Sequence, residues 1–249
     1  MGAPELRDVF ERIEAALREE QLPLVVFDLD STLFSTAPRN LRILQEFVEL
    51  HAQRFPGLEA CAARLRVDQL GWNLEDDLRA LGLGDARLLS TLRTFWSERF
   101  FHDDYLLSDT PVPGAVEYVE ACHQRGALVY YLTGRHVGGM EVGTVRALTR
   151  HGFPFWRGRC VLHLKPSAQM QDRAFKDDAL ADIRSYRGRV VATFENEPGN
   201  ANLFAGAFPS ALHFWLLTIH SPGAEAPCPE LIGTRDFLSR ADPAPSLTT

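Results

Sequence analysis

Leu24–Phe34, LVVFDLDSTLF, is the stretch on which the reading of this chain turns. Leu24, Val25, Val26 and Phe27 form a short apolar run, β-branched and aromatic, too brief for a helix. It reads as a strand of a parallel sheet buried on both faces. Two carboxylates, Asp28 and Asp30, follow at its end, and Ser31 and Thr32 suit a tight turn after them. A fully buried strand has no use for carboxylates in its interior. At the carboxyl end of a strand, where open α/β sheets bind ligands, they have one.

The spacing carries chemistry. In extended backbone, residues two apart point to the same side, so Asp28 and Asp30 can converge. Adjacent carboxylates repel unless a cation or a shared proton intervenes. A hard divalent cation with oxygen ligands, Mg²⁺ above all, suits such a pair. One carboxylate can then attack an electrophile such as phosphorus, while the other serves as general acid and base. Read alone, the same residues also make an ordinary acidic turn.

The rest of the chain supplies the context. Upstream, Leu6 to Glu19 places Val9, Phe10, Ile13, Ala16 and Leu17 at helical spacing, and Pro23 stops that helix. From Ser35 to about Thr110 the pattern is helical and broken by Pro56-Gly57, Gly71, Gly82 and Gly84. It predicts helices near Leu41–His51, Leu58–Leu65, Leu74–Leu81 and Ala86–Phe101. The aromatic cluster Phe95, Trp96, Phe100 and Phe101 reads either as the core of this segment or as a wall for a ligand.

Pro113-Gly114 opens a helix over Ala115–Arg125, and ALVYYL (Ala127–Leu132) is the next buried strand, ending in Thr133-Gly134-Arg135. A helix over Gly138–Gly152, a strand Cys160–Leu164 closing on His163-Leu164-Lys165, a helix Ala174–Tyr186 carrying Lys176 in its first turn, and a strand RVVATF (Arg189–Phe194) follow. That strand ends in Glu195-Asn196-Glu197. A short helix (Asn202–Ala207) and a strand LHFWLLTI (Leu212–Ile219) come next. From Ser221 the chain reads as loop, and beyond Arg240 as a disordered tail. Strands alternating with helices predict a parallel, doubly wound α/β sheet.

Taken together and in this order, Asp28-x-Asp30-x-Thr32, the strand ending in Thr133, a lysine and the acidic strand end at Glu195 resemble the haloacid dehalogenase (HAD) superfamily. The resemblance spans about Leu24 to Phe204. It implies a Rossmann-like core over residues 1–35 and 111–240, a small, mostly helical cap domain over 36–110, and a tail at 241–249. It implies a Mg²⁺-dependent phosphohydrolase acting on a small phosphomonoester. Asp28 would be the nucleophile that becomes an aspartyl-phosphate, and Asp30 the general acid and base. Thr133, Gly134 and a lysine would hold the phosphoryl group. Lys176 is preferred, because it opens the helix leading into Glu195; Lys165 is the alternative. Arg135 either adds charge to the site or pairs with a nearby acid. Asp28, the Asp30 carbonyl and Glu195 would hold Mg²⁺, with Asn196 and Glu197 behind them. Glu195 departs from the Asp usual in the family, which leaves the ligand set open. A phosphotransferase or phosphomutase, and a non-catalytic module that binds a phosphorylated ligand, are the alternatives.

Composition narrows the setting. The chain has 249 residues and a formal charge of −7, so general electrostatic attraction to nucleic acid or anionic membrane is not expected. Cys61, Cys122, Cys160 and Cys228 are widely spaced, with no zinc or disulfide pattern. Reduced thiols and a cytoplasmic location are expected. Neither the physiological substrate nor the oligomeric state is readable at this level.

Overall fold

The structure, a computed structural model, describes residues 5–238, so the expected tail at 241–249 lies outside the described residues. Helix α1 (Leu6–Arg18) turns Val9, Ile13 and Ala16 inward. Strand β1 (Pro23–Phe27) is buried along its whole length. A tight turn follows, in which the Leu29 carbonyl accepts the N–H groups of Thr32, Leu33 and Phe34. Ser31 sits at φ 59°, a left-handed conformation that costs a non-glycine residue about 1–2 kcal/mol. That strain falls one residue after Asp30, in the segment that aims the carboxylates.

The chain then forms a two-residue strand, β2 (Phe34–Ser35), and leaves the sheet. It runs through α2 (Ala37–His51), α3 (Leu58–Ala62), a 3₁₀ turn at Val67–Gln69, α4 (Leu74–Ala80), α5 (Ala86–Phe100) and α6 (Asp103–Leu106). It returns as β3 (Thr110–Pro111), which pairs antiparallel with β2. The insertion therefore enters and leaves through one two-stranded ribbon. It buries its own apolar cluster, including Ile43, Phe47, Leu58, Leu78, Leu92 and Phe95. Its α6 abuts the core at Gly143, whose N–H donates to Asp103 Oδ1 at 2.5 Å. A Cβ there would lie 2.4 Å from the Asp103 carbonyl oxygen, so only glycine allows this approach.

After the insertion come α7 (Ala115–Gln124), β4 (Leu128–His136), α8 (Val137–His151), β5 (Cys160–Lys165), α9 (Asp172–Ser185), β6 (Arg189–Glu195), α10 (Pro198–Ala207), β7 (Leu212–Leu216) and β8 (Leu231–Thr234). The sheet has six strands in the order β5-β4-β1-β6-β7-β8, all parallel. On one side of β1 the chain adds β4 and β5, and on the other β6, β7 and β8. The strand order thus reverses at β1, which makes its carboxyl end the switch point where such sheets open a crevice. Val25 and Phe27 face the layer of α1, α7 and α8, and Leu24 and Val26 face that of α9 and α10. Phe27 stacks on Phe194 at 4.7 Å, and Phe194 on Phe214 at 4.8 Å, tying three neighbouring strands together.

Two features depart from the sequence reading. Strand β4 continues past Leu132 through Thr133-Gly134-Arg135 to His136, with a register shift against β5 between Thr133 and His136. The sheet also gains an edge strand, β8, because Leu231–Thr234 pairs with β7 in a region read as loop. An edge strand of four residues, mostly half-exposed and holding Gly233, carries too little apolar alternation to stand out among prolines.

Candidate active site

Asp28 follows the last residue of β1 and is buried, its N–H donating to the Phe194 carbonyl. From α9, Lys176 reaches it: Nζ donates to Asp28 Oδ1 at 2.9 Å and to Glu195 Oε2 at 2.5 Å. Phe175, Ala179 and Ile183 hold α9 against the sheet, and that packing brings the ammonium to the end of β1. Glu195 ends β6, the neighbour of β1. Its Oε1 accepts the N–H groups of Asn196 and Glu197, at 3.1 and 3.0 Å. Lys176 is therefore the lysine against Asp28, while Lys165, at the end of β5, is paired with Asp172.

This trio holds two buried carboxylates and a single ammonium, so one negative charge is unmatched. Burial pushes Asp28 upward against the pull of Lys176. Burial likewise pushes Glu195 up to about 7, again opposed by Lys176. Lys176 is raised despite its burial, by Asp28 and Glu195. Among the described residues no three His, Cys, Asp or Glu side chains cluster as a ready-made metal cage. Mg²⁺ does not require one, since it is commonly held by one or two carboxylates, water and substrate phosphate. Hard oxygen donors with an unmatched negative charge fit such an ion.

Asp30 has a different environment. Its Oδ1 accepts from Arg39 Nη2 at 3.0 Å and from Arg135 Nε and Nη2 at 3.0 and 2.5 Å. Both guanidiniums also bind Asp109, Arg39 through Nε at 2.8 Å and through Nη2, and Arg135 through Nη2 at 2.9 Å. Two arginines and two aspartates thus form a charge-balanced square, with both arginines fully buried. Burial alone would raise Asp30, but Arg135 and Arg39 outweigh it and hold the carboxyl down at about 2. Of the two roles open to Arg135, pairing with an acid is the one the geometry displays.

Arg39 and Asp109 escaped the sequence reading. A signal for Arg39 existed: it shares the stripe of α2 that carries Ile43 and Phe47, and an arginine on a core-facing stripe needs buried partners. Asp109, just before the returning strand β3, carried no such signal.

The remaining expected residues fall around this centre. Thr133 is buried, and its Oγ1 accepts the Arg135 N–H at 3.2 Å. It is Gly134 and Arg135 that reach the cavity wall. A Cβ at Gly134 would lie 2.6 Å from the Asp172 carboxylate, so glycine is what allows Asp172 and its partner Lys165 to close in. Asn196 is anchored structurally: Thr32 Oγ1 donates to its Oδ1 at 3.2 Å, and its Nδ2 donates to the Ile219 carbonyl at 2.7 Å. Glu197 is taken up by Ser221, whose N–H and hydroxyl donate to it at 2.8 and 2.7 Å. Asp28, Asp30, Lys176 and Glu195 all line one cavity of about 800 Å³, and Trp72, Trp96 and other residues of the insertion line it as well.

With strand ends, lysine and acids assembled at one crevice, comparison with known proteins is decisive for the family. The profile of the haloacid dehalogenase-like hydrolases matches residues 22–174. The chain belongs to this family. It is therefore an enzyme of the hydrolase class, on the α/β fold described above. No curated protein matches the sequence. Among solved structures, it is similar to a protein assigned as a phosphatase from Clostridium difficile, at 14% identity over 82% of this chain and 89% of that one, with a TM-score of 0.52. It is also similar to a protein assigned as a haloacid dehalogenase-like hydrolase from Bacteroides fragilis, at 14% identity over 82% and 91% of the two chains, with a TM-score of 0.48. The first likeness supports the same fold for this hydrolase. No helix among its described residues is long and apolar enough to cross a membrane.

Proposed function

We propose that this hydrolase is a Mg²⁺-dependent phosphatase that cleaves a small phosphomonoester through an aspartyl-phosphate on Asp28. The observation that carries the reading is the Asp28–Lys176–Glu195 trio at the switch point, on the floor of a cavity lined from above by the insertion. Asp28 follows β1 at the switch point and shares the Lys176 ammonium with Glu195, so a cation stands beside it where charge builds on a phosphoryl oxygen in the transition state. Its Oδ would attack phosphorus as the bond to the leaving oxygen breaks. Lys176 would move its hydrogen bonds from the carboxylates to the phosphoryl oxygens, helped by donors of the Thr133-Gly134 strand end.

Asp28, Glu195 and the Asp30 carbonyl are the groups that would hold Mg²⁺. Bound there, the ion offsets the repulsion between carboxylate and phosphate. Held by two guanidiniums, Asp30 is ionised at neutral pH but a weak base, so taking a proton from the water that hydrolyses the aspartyl-phosphate also needs that hold relaxed. For it to protonate the leaving oxygen first, one arginine has to loosen its hold. We assign the helical segment 36–110 as a cap over the core formed by 1–35 and 111–240. Its β2–β3 ribbon is the natural hinge for admitting substrate and excluding water. Four free thiols support a cytoplasmic setting.

The test is phosphate release from p-nitrophenyl phosphate with and without Mg²⁺, comparing the wild type with Asp28→Asn. Metal-dependent turnover that falls at least about 1,000-fold in the variant is expected. Turnover unchanged in Asp28→Asn removes the nucleophile assignment. Phosphate transfer to an added alcohol in place of water would favour the phosphotransferase reading.

A further inference from the structure

The cavity over Asp28 has two walls of unlike chemistry. On the insertion side, Phe95 turns into the apolar cluster of the insertion, but Trp96, Phe100 and Phe101 line the cavity. Trp96 stacks on Phe100 at 4.5 Å, and Phe101 meets both edge-on, at 5.7 and 5.1 Å. The shelf is held rigid from below. Arg39 lies over the Phe100 ring at 4.3 Å and donates to the Phe100 carbonyl, and the Trp96 indole N–H donates to Asn40 Oδ1 at 2.8 Å. With that donor committed, Trp96 offers only its ring. Trp72, from the loop before α4, lines the same cavity. Trp72 and Phe101 are 45% and 43% exposed, two large aromatic surfaces left wet at the mouth of a site.

The charged residues set a second limit. Of the four lysines and arginines lining the cavity among the described residues, three are paired with carboxylates and one with a carbonyl. Lys176 is held by Asp28 and Glu195, Arg135 by Asp30 and Asp109, Lys165 by Asp172, and Arg173 by the Gly199 carbonyl. Asp172, Glu197 and Glu225 line the same cavity. Lys176 beside the nucleophile provides for one phosphoryl group. A second would meet Asp172, Glu197 and Glu225, with Arg173 the one cation among the described lining residues not paired to a carboxylate.

We infer that the substrate carries a single phosphoryl group on a body that includes a planar aromatic ring, with Trp72 and Phe101 as the surfaces on which that ring stacks. The inference rests on the phosphatase reading and narrows it to aromatic monophosphates. An aryl-bearing ester and a nucleoside monophosphate share this chemistry, because any planar ring presents a face for stacking.

The experiment compares matched pairs in which only the ring differs, under Mg²⁺: benzyl against cyclohexylmethyl phosphate, and adenosine 5′-monophosphate against ribose 5-phosphate. Both members of each pair leave as alkoxides, so leaving-group strength does not dominate the comparison. In at least one pair kcat/KM should favour the aromatic member by about tenfold or more, the size expected of one stacked ring. The favoured pair tells aryl ester from nucleotide. Trp72→Ala and Phe101→Ala, both at exposed positions, should bring that ratio toward one, mainly through KM. Adenosine 5′-diphosphate should be turned over more slowly than the monophosphate. Equal kcat/KM within both pairs, an unchanged ratio in both variants, or a preference for the diphosphate overturns the inference and leaves the phosphatase reading standing. No turnover of any ester, p-nitrophenyl phosphate included, overturns both.

Discussion

Asp28 and Asp30 are two residues apart in sequence and occupy opposite electrostatic settings. Asp28 shares one ammonium with Glu195, so that cluster has a surplus negative charge and both carboxyls are pushed upward. Asp30 shares two guanidiniums with Asp109 in a balanced square, and its carboxyl is held low. The first cluster is poised to accept positive charge, as a cation or a proton. The second is already charge-balanced. In the proposed mechanism the nucleophile that meets a phosphoryl group beside a metal sits in the unfinished cluster. The difference comes from the donors each cluster recruits, a lysine from α9 in one and arginines from α2 and β4 in the other. Two carboxylates of the same residue type thereby differ in charge balance and in the direction their pKa is pushed.

Removing the cation from the unfinished cluster is the harshest way to probe this contrast. Lys176→Met leaves Asp28 and Glu195 buried with no cation between them, and should cost about 3–5 kcal/mol of unfolding free energy at neutral pH, read by urea titration. A loss below about 1 kcal/mol would show that the carboxylates are not charged against each other there. In the finished cluster, Arg39→Met leaves Arg135 in place for both aspartates. The expected loss is smaller, about 2–3 kcal/mol. If it exceeds the loss in Lys176→Met, the ranking of the two clusters is wrong.

The pH dependence separates the clusters by sign. In the metal-free protein, folded Glu195 titrates near 7 against an ordinary value of 4.5. Between those values the folded state holds a proton that the unfolded state has released, so stability falls as pH rises through this window, by about 2–3 kcal/mol at most. Excess Mg²⁺ should flatten the slope. Asp30 runs the other way: its contribution is complete above about pH 4 and is lost as pH falls toward 2. Denaturant titrations at pH 5, 6 and 7 with and without Mg²⁺ test the first limb. A metal-free protein whose stability is level across that range would count against the unmatched charge. The smallest effect concerns the link between the β1 turn and the end of β6. Thr32→Val removes the hydrogen bond to Asn196 Oδ1 and should lower stability by about 1 kcal/mol, visible in the same titrations.

Much of this was legible in the chain itself. The buried run Leu24–Phe27, the alternation of strands and helices after Pro113, and the helical segment between Ser35 and Thr110 all show in apolar periodicity, because burial of one face imposes a repeat. Element ends were less legible. Strand β4 runs on through Thr133-Gly134-Arg135 because pairing with β5 resumes at Lys165, a partner distant in sequence. Strand β8 was missed because a short edge strand buries little. At the site, Asp28, Asp30 and Glu195 stood out as acids closing apolar strands. Arg39 and Asp109 did not, since a charge on a helix stripe or in a returning loop reads as solvated until its partner is seen.

The sequence by itself determined the order of the main strands and helices from α1 to β7, the place of the insertion, and the positions where carboxylates and lysine could act, since all of these follow from local pattern and spacing. Tertiary structure alone decided which cation each carboxylate received. Lys176 meets Asp28 from 148 residues away, and Arg135 meets Asp30 from 105. Pairings of that range depend on how helices pack on the sheet, and the charge state of each carboxylate depends in turn on the burial and partners that this packing supplies.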